Sequence, residues 1–230
     1  MNSQDFVKFL NDISLEPLRV LDASIPNSKY IPLDLSESNQ TLNTVDVSSS
    51  SKLGGFVNNH ISKQNAQVAY GGYLEVRNIY KRSNHFNRQA QDERNIHLGI
   101  DLWCDAEYHI YTPLEGTVHS FKNNTNYGDY GPTIILKHTI SGVEFYTLYG
   151  HLSLASIQDI VIGQEFTQNE KIATLGDAKV NGDYPPHLHF QIIKDIEDFK
   201  GDYPGVCSNK NLNFYKANCP NPNLLLKLKI

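Results

Sequence analysis

The stretch Pro185-Pro186-His187-Leu188-His189-Phe190-Gln191-Ile192-Ile193 alternates polar and apolar residues immediately after a proline pair. Side chains on a β-strand point to opposite faces in turn, so His187 and His189 share one face while Leu188 and Phe190 share the other. The pattern commits this part of the chain to a sheet with one apolar face and one face carrying two imidazoles. An isolated H-x-H is more often the wet face of an antiparallel strand than a ligand pair. It gains chemical meaning only when further ligands occur in a strand of compatible pattern.

Ile96-His97-Leu98-Gly99-Ile100-Asp101-Leu102-Trp103 is such a strand. His97, Gly99 and Asp101 fall on one face, and Leu98, Ile100 and Leu102 on the other. The glycine leaves a gap in the side-chain row, where an ion could approach the backbone. One His, one Asp and one of the two H-x-H imidazoles make a three-ligand N/O set. Zinc accepts these ligands, and three protein ligands with an open fourth position describe a catalytic rather than a structural zinc site.

The rest of the chain fits a β-dominated domain. Phe6, Val7, Phe9, Leu10 and Ile13 form a short helical stripe that stops before Glu16-Pro17. Residues 23–53 are rich in Ser, Asn and Pro and read as loops and extended segments. Tyr70-Gly71-Gly72 reads as a turn leading into a strand over 73–80. After Trp103 come short strands and turns, including a hairpin of 133–138 with 143–149 across Ile140-Ser141-Gly142. Leu224-Leu225-Leu226 reads as a closing strand docked on the sheet. The expected fold is therefore mainly β, an antiparallel sheet with a short N-terminal helix. Its expected division is an N-terminal extension over 1–90 that packs on or covers the core, a β domain over 91–195, and a docked tail over 196–230.

Composition narrows the function classes. With 230 residues the chain can bury a proper core. A net charge of −5, scattered rather than blocked, argues against nucleic acid as a partner. No apolar run is long enough to insert in a membrane. Met1-Asn2-Ser3-Gln4-Asp5 lacks the pattern of a secretory signal, so the sequence as given reads as cytoplasmic, or as cell-envelope or secreted if a leader has been removed. Three cysteines, Cys104, Cys207 and Cys219, are too few for a disulfide framework, although Cys207 and Cys219 could pair in an exported protein. The sequence leaves the oligomeric state open.

One further histidine stands at a strand end, His151 in Leu148-Tyr149-Gly150-His151-Leu152, where loops carry function. His60, His85, His109, His119 and His138 have no partner in sequence and read as ordinary structural histidines.

His97-Leu98-Gly99-Ile100-Asp101, Tyr149-Gly150-His151-Leu152 and Pro186-His187-Leu188-His189-Phe190, in this order, resemble the lysostaphin/LytM-type zinc metallopeptidases. The turn Pro113-Leu114-Glu115-Gly116-Thr117-Val118 and the strand ending Leu136-Lys137-His138 are similar as well. The resemblance spans Asn95 to Ile193, about half of the chain, and its three motifs together are specific where any one alone is weak. It implies the duplicated-hybrid-motif type of β-sheet core. It implies zinc held by His97, Asp101 and His189, with His151 and His187 as the catalytic pair that does not bind metal; alternation alone leaves His187 and His189 equivalent. The implied activity is zinc-dependent hydrolysis of peptide bonds in peptidoglycan stem or cross-bridge peptides. No H-E-x-x-H helix is present, so a glutamate base of the thermolysin kind is not expected. Three other readings stand beside it. One is a non-catalytic cell-wall-binding or hydrolase-activating module on the same fold. Another is a cytoplasmic zinc hydrolase of a different amide, and the third is a structural metal site. For residues 1–90 there are two expectations. The segment either packs around the core and covers sheet edges, or occupies the groove and blocks the metal through Asn59-His60 or Asn84-His85.

Overall fold

The computed structural model describes residues 1–82 and 93–229. In chain order the elements are α1 (Ser3–Asp12), β1 (Tyr30–Pro32), α2 (Ser50–Lys63), β2 (Val68–Gly71), β3 (Ile96–His97), β4 (Ile100–Trp103), β5 (His109–Tyr111), β6 (Gly116–Asn124), β7 (Gly131–Ile140) and β8 (Val143–Gly150). They continue with β9 (Glu165–Phe166), β10 (Lys171–Thr174), β11 (His187–Ile193), β12 (Val206–Cys207), α3 (Leu212–Asn218) and α4 (Asn223–Leu226). Eight strands form one sheet in the order β1-β2-β4-β11-β8-β7-β6-β9, and two small ribbons pair β10 with β5 and β12 with β3. Within the large sheet only the β1–β2 pair is parallel. The fold is mainly β, as the short alternating runs require.

The alternation in β11 does what its sequence demands. Leu188 and Phe190 enter a core with Ile100, Leu102, Tyr149, Ile134, Leu136 and Val118. Burying a side chain of this size contributes about 1.5–3 kcal/mol. Several such residues on one face of neighbouring strands hold the register, because a slip of one residue would turn them all outward. That register sets Asp101 directly opposite His189, and Trp103 opposite His187. On the other side of β11, His189 faces Gly150 at the end of β8.

The N-terminal residues extend this sheet rather than standing apart from it. β2 pairs antiparallel with β4, with Ala69 opposite Trp103 and Gly71 opposite Asp101. β1 then pairs with β2. α2 starts at an N-cap Ser49 whose side chain accepts from the Lys52 N–H. It buries Leu53 and Val57 against Ile31, Leu33, Ala69 and Trp103. α1 is capped by Asn2, whose side chain accepts from the Asp5 N–H, and it buries Phe6 and Leu10 against Phe145, Ile192 and Leu225.

Three local expectations are corrected. The strand read over 73–80 is displaced: the strand is β2, and it precedes the turn. Gly72 (φ +109°) and Leu74 (φ +58°) then take left-handed backbone, and 78–82 forms a 3-10 turn. The single strand read over 96–103 is broken into β3 and β4 at Leu98-Gly99. The apolar run in the tail is the short helix α4, not a strand; Pro222 at its N-cap and a left-handed Lys227 after it bound one turn. The three cysteines are buried and free. Among the described residues no helix is long and apolar enough to cross a membrane.

A chain starting at Ser83 would lose β1, α2 and β2 and would expose the β4 edge and the apolar surface around Trp103. We expect it to melt at a lower temperature than the full chain, or to aggregate, when both are followed by circular dichroism and light scattering. A truncated chain as stable as the full one and more active would support the blocking reading instead.

Candidate metal centre

Three strands and the backbone around them deliver the site. His97 ends β3, Asp101 lies in β4 and His189 in β11; all three are 1–2% exposed. Their ligand atoms form a tight triangle. His97 Nε2 lies 3.2 Å from Asp101 Oδ1, His189 Nδ1 lies 3.1 Å from the same oxygen, and the two nitrogens are 2.9 Å apart. Among the described residues this is the one group of His, Cys, Asp and Glu side chains close enough to share an ion. The gap at Gly99 serves a different purpose from the one expected: a Cβ there would lie 2.6 Å from His189 Cε1, so the glycine makes room for the ligand ring.

The far side of each ring shows what the triangle is. His97 Nδ1–H donates to the Gly72 carbonyl at 3.0 Å. His189 Nε2–H donates to Gln191 Oε1 at 2.9 Å. The Gln191 orientation is fixed in turn, because its Nε2 donates to the Pro204 carbonyl and to Cys219 Sγ. With both ring protons placed outward, His97 Nε2, His189 Nδ1 and Asp101 Oδ1 meet as three acceptors. Three buried lone pairs within 3.2 Å of one another repel unless a cation or proton lies between them. Burial pushes His97 down to about 4, with Arg77 adding to that effect against the pull of Asp101. The donor set thus fits a divalent metal, and the outward hydrogen bonds are those that orient metal-bound imidazoles.

Asp101 is held from behind. Its Oδ2 accepts from Arg77 Nη1 at 2.5 Å, and Arg77 Nε reaches Glu75 Oε2 at the same distance. Burial alone would raise the Asp101 carboxyl, but the charges of His97, Arg77 and His187 outweigh it and hold the group well below the usual carboxylate range. Removing one member of a buried ion pair of this kind costs about 3–5 kcal/mol.

His151 and His187 stand beside the triangle, with ring centroids 4.2 Å apart. His187 Nδ1–H donates to the Pro185 carbonyl and His151 Nδ1–H to the Asn181 carbonyl, each at 2.8 Å. Both rings are therefore the tautomer whose Nε2 is an acceptor. His187 Nε2 lies 3.9 Å from Asp101 Oδ1, and its ring stacks on Trp103 with centroids 3.9 Å apart. Burial draws His187 down to about 4 and His151 well below its ordinary value. His151 also has left-handed backbone (φ +63°), which costs a non-glycine residue about 1–2 kcal/mol. The strain is held by hydrogen bonds from His151 N–H to the Tyr130 carbonyl and from Gly176 N–H to the His151 carbonyl, both 2.9 Å.

All five residues singled out in the sequence meet here. The other histidines do not. His60, on α2, reaches the Pro32 carbonyl of β1, His109 sits by Tyr111, and His119 bonds Ser120. His138 is buried between the Glu115 carbonyl and Thr147. Asn59-His60 does not reach the centre; Asn84-His85 lies outside the described residues. Sequence reasoning missed Arg77, Gln191 and Tyr130, whose OH is 3.5 Å from His189 Nε2. Gln191 was findable, since it shares the face of His187 and His189. The site opens to a cavity of about 170 Å3 walled in part by Ile79, Tyr80, Trp103, Tyr184 and Tyr203. Loops 123–131 and 177–186, rich in Gly, Asn, Asp and Tyr, flank it. Tyr130 and Tyr184 of those loops contribute to its wall, together with Ile79, Tyr80, Trp103 and Tyr203 from outside them.

The arrangement is a two-imidazole, one-carboxylate metal-binding group on a sheet face, flanked by two histidines with free Nε2 atoms. Residues 95–201, a little under half of the chain, match the family model described as peptidase family M23. Among solved structures it is similar to an M23-type protein of Pseudomonas aeruginosa (20% identity, 58% of this chain and 45% of that one, TM-score 0.39). It is similar to a zinc-containing peptidase from Vibrio cholerae (24% identity, 43% and 27%, TM-score 0.33). It is also similar to the catalytic domain of lysostaphin from Staphylococcus simulans (18% identity, 71% and 97%, TM-score 0.40). The chain spans less than half the length of the first two. No curated protein matches it.

Asp101→Ala and His189→Ala should lose most of their bound metal, measured by elemental analysis after gel filtration. His151→Ala and His187→Ala should keep it. Loss in His187→Ala with retention in His189→Ala would exchange the roles of the two histidines.

Proposed function

We propose that this protein is a zinc-dependent endopeptidase acting on stem or cross-bridge peptides of peptidoglycan. The observation that carries the chemistry is the triangle of three buried acceptors beside two histidines whose Nε2 atoms are free. Zinc held by His97, Asp101 and His189 would polarise a peptide carbonyl and lower the pKa of a bound water toward ~7. The chain supplies the proton transfers. Of His151 and His187, one takes the water proton at its Nε2, and the other, once protonated there, donates to the oxyanion or the leaving amine. The carbonyls of Asn181 and Pro185 keep both rings in the orientation this needs. Trp103, Tyr184 and Tyr130 pack around the rings and limit water.

The substrate reading is supported by the family and by the loops that flank the site. Loops 123–131 and 177–186 are tied together by Gly128 N–H to the Gly182 carbonyl and by Tyr184 OH to the Gly128 carbonyl. Their Gly, Asn and Asp residues offer backbone donors and acceptors to an extended peptide with small side chains. Peptides of bacterial stems and bridges are of that kind. The division into an N-terminal segment, a catalytic β domain and a docked tail is part of the same reading. The N-terminal segment here serves as sheet and support.

Zinc-loaded protein should release new amine termini from purified peptidoglycan, lose this activity in chelator and regain it with zinc, and act little on folded proteins. No new termini, with hydrolysis of an unrelated amide, would keep the hydrolase and reject the wall substrate. Tight binding to peptidoglycan without any hydrolysis would favour the binding module.

A further inference from the structure

Arg77 lies outside the matched residues 95–201, yet it is 2% exposed and points its guanidinium at a metal-ligand candidate. A chain of polar contacts runs through it. The Leu35 N–H donates to Glu75 Oε1 at 3.0 Å, Arg77 Nε donates to Glu75 Oε2, and Arg77 Nη1 donates to Asp101 Oδ2. Asp101 therefore has one oxygen committed to the guanidinium and the other turned to the two imidazoles. The same segment also grips the histidine of the H-x-x-x-D pair, since the Gly72 carbonyl accepts from His97 Nδ1. A Cβ on Gly72 would sit 1.9 Å from Arg77 Nη2 and 2.8 Å from His97 Nδ1, and its φ of +109° suits glycine alone. The guanidinium and the imidazole are packed together against this glycine.

We propose that Arg77 is a positioning residue of the metal centre. By occupying Oδ2 it leaves Oδ1 as the single donor of Asp101 and fixes its direction, so that residues 72–77 set the metal affinity of a site whose ligands all lie further along the chain. This rests on the metal reading above. The planar fork of arginine allows Nε to hold Glu75 while Nη1 holds Asp101; a lysine ammonium on a flexible stem does not present two donors in that fixed geometry. A partner behind a ligating carboxylate governs affinity as well as stability, with losses of about 10–100-fold when it is removed.

The test uses the full chain and zinc itself. Zinc dissociation constants are measured by competition with a chromophoric chelator for wild type, Arg77→Lys and Arg77→Met. Arg82→Met serves as the control. Arg82 is a second buried arginine of the N-terminal part, which bonds the Ser48 and Asp183 carbonyls and covers the Tyr184 ring without touching a ligand. Each protein is first shown to be folded by circular dichroism. We expect Arg77→Met to bind zinc about 10–100-fold more weakly, Arg77→Lys to fall between it and wild type, and Arg82→Met to lose melting temperature but not zinc affinity. Cobalt(II) loaded in place of zinc should show a changed visible spectrum in Arg77→Met, because the freed Oδ2 can join the metal. Wild-type zinc affinity and cobalt spectrum in folded Arg77→Met or Arg77→Lys would overturn the inference alone. An equal loss of zinc affinity in Arg82→Met would overturn it too, as a general effect of destabilisation. No stoichiometric zinc on the wild type would overturn the metal reading and this inference with it.

Discussion

Three acceptor atoms aimed at one point, with no donor among them, are the feature on which the rest of this structure depends. His97 Nε2, His189 Nδ1 and Asp101 Oδ1 lie within 3.2 Å of one another in a buried place. Like-signed partial charges do not gather there unless something holds them. Here the apolar face of β4 and β11 holds the strands in register, and hydrogen bonds on the outer side of each ring hold the imidazoles. The energy of hydrophobic burial is thus used to keep a polar cluster in a geometry that a cation or a proton between the acceptors relieves.

The chain around the centre is organised by the same need. Each histidine of the site has one nitrogen bonded outward, to the carbonyls of Gly72, Asn181 and Pro185 and to Gln191. Each is thereby a single tautomer with its other nitrogen facing the cluster. Three separate parts of the chain supply those four anchors. This explains why the N-terminal strands, the loop before β11 and Gln191 within it all belong to the site although, of these, only β11 carries one of the three clustered acceptors. It also explains the strained backbone at His151, which three hydrogen bonds hold in place.

What could be read from the sequence is what depends on local period. The pairing of His187 with His189, and of His97 with Asp101, follows from alternation along a strand, and a period of two survives even the break at Leu98-Gly99. Alternation could not tell which H-x-H histidine faces Asp101; strand register does, by placing His189 opposite it. The contacts that cross long sequence distances were not legible. Arg77 meets Asp101 only because β2 pairs with β4. Residues 73–80 follow a Gly-Gly turn and carry aromatic and β-branched residues that suit a strand. They are instead bent by two left-handed residues so that Glu75 and Arg77 turn inward. Likewise, Leu224-Leu225-Leu226 has no period long enough to separate a helical turn from a strand, and packing against α1 decides it.

X-ray absorption at the zinc edge of the purified, zinc-loaded full-length protein tests the central claim most directly. The account predicts one zinc per chain with two imidazole ligands, one carboxylate oxygen and an exchangeable water, and no sulfur. A shell with three or more imidazoles, any sulfur ligand, or four protein ligands and no water would contradict it.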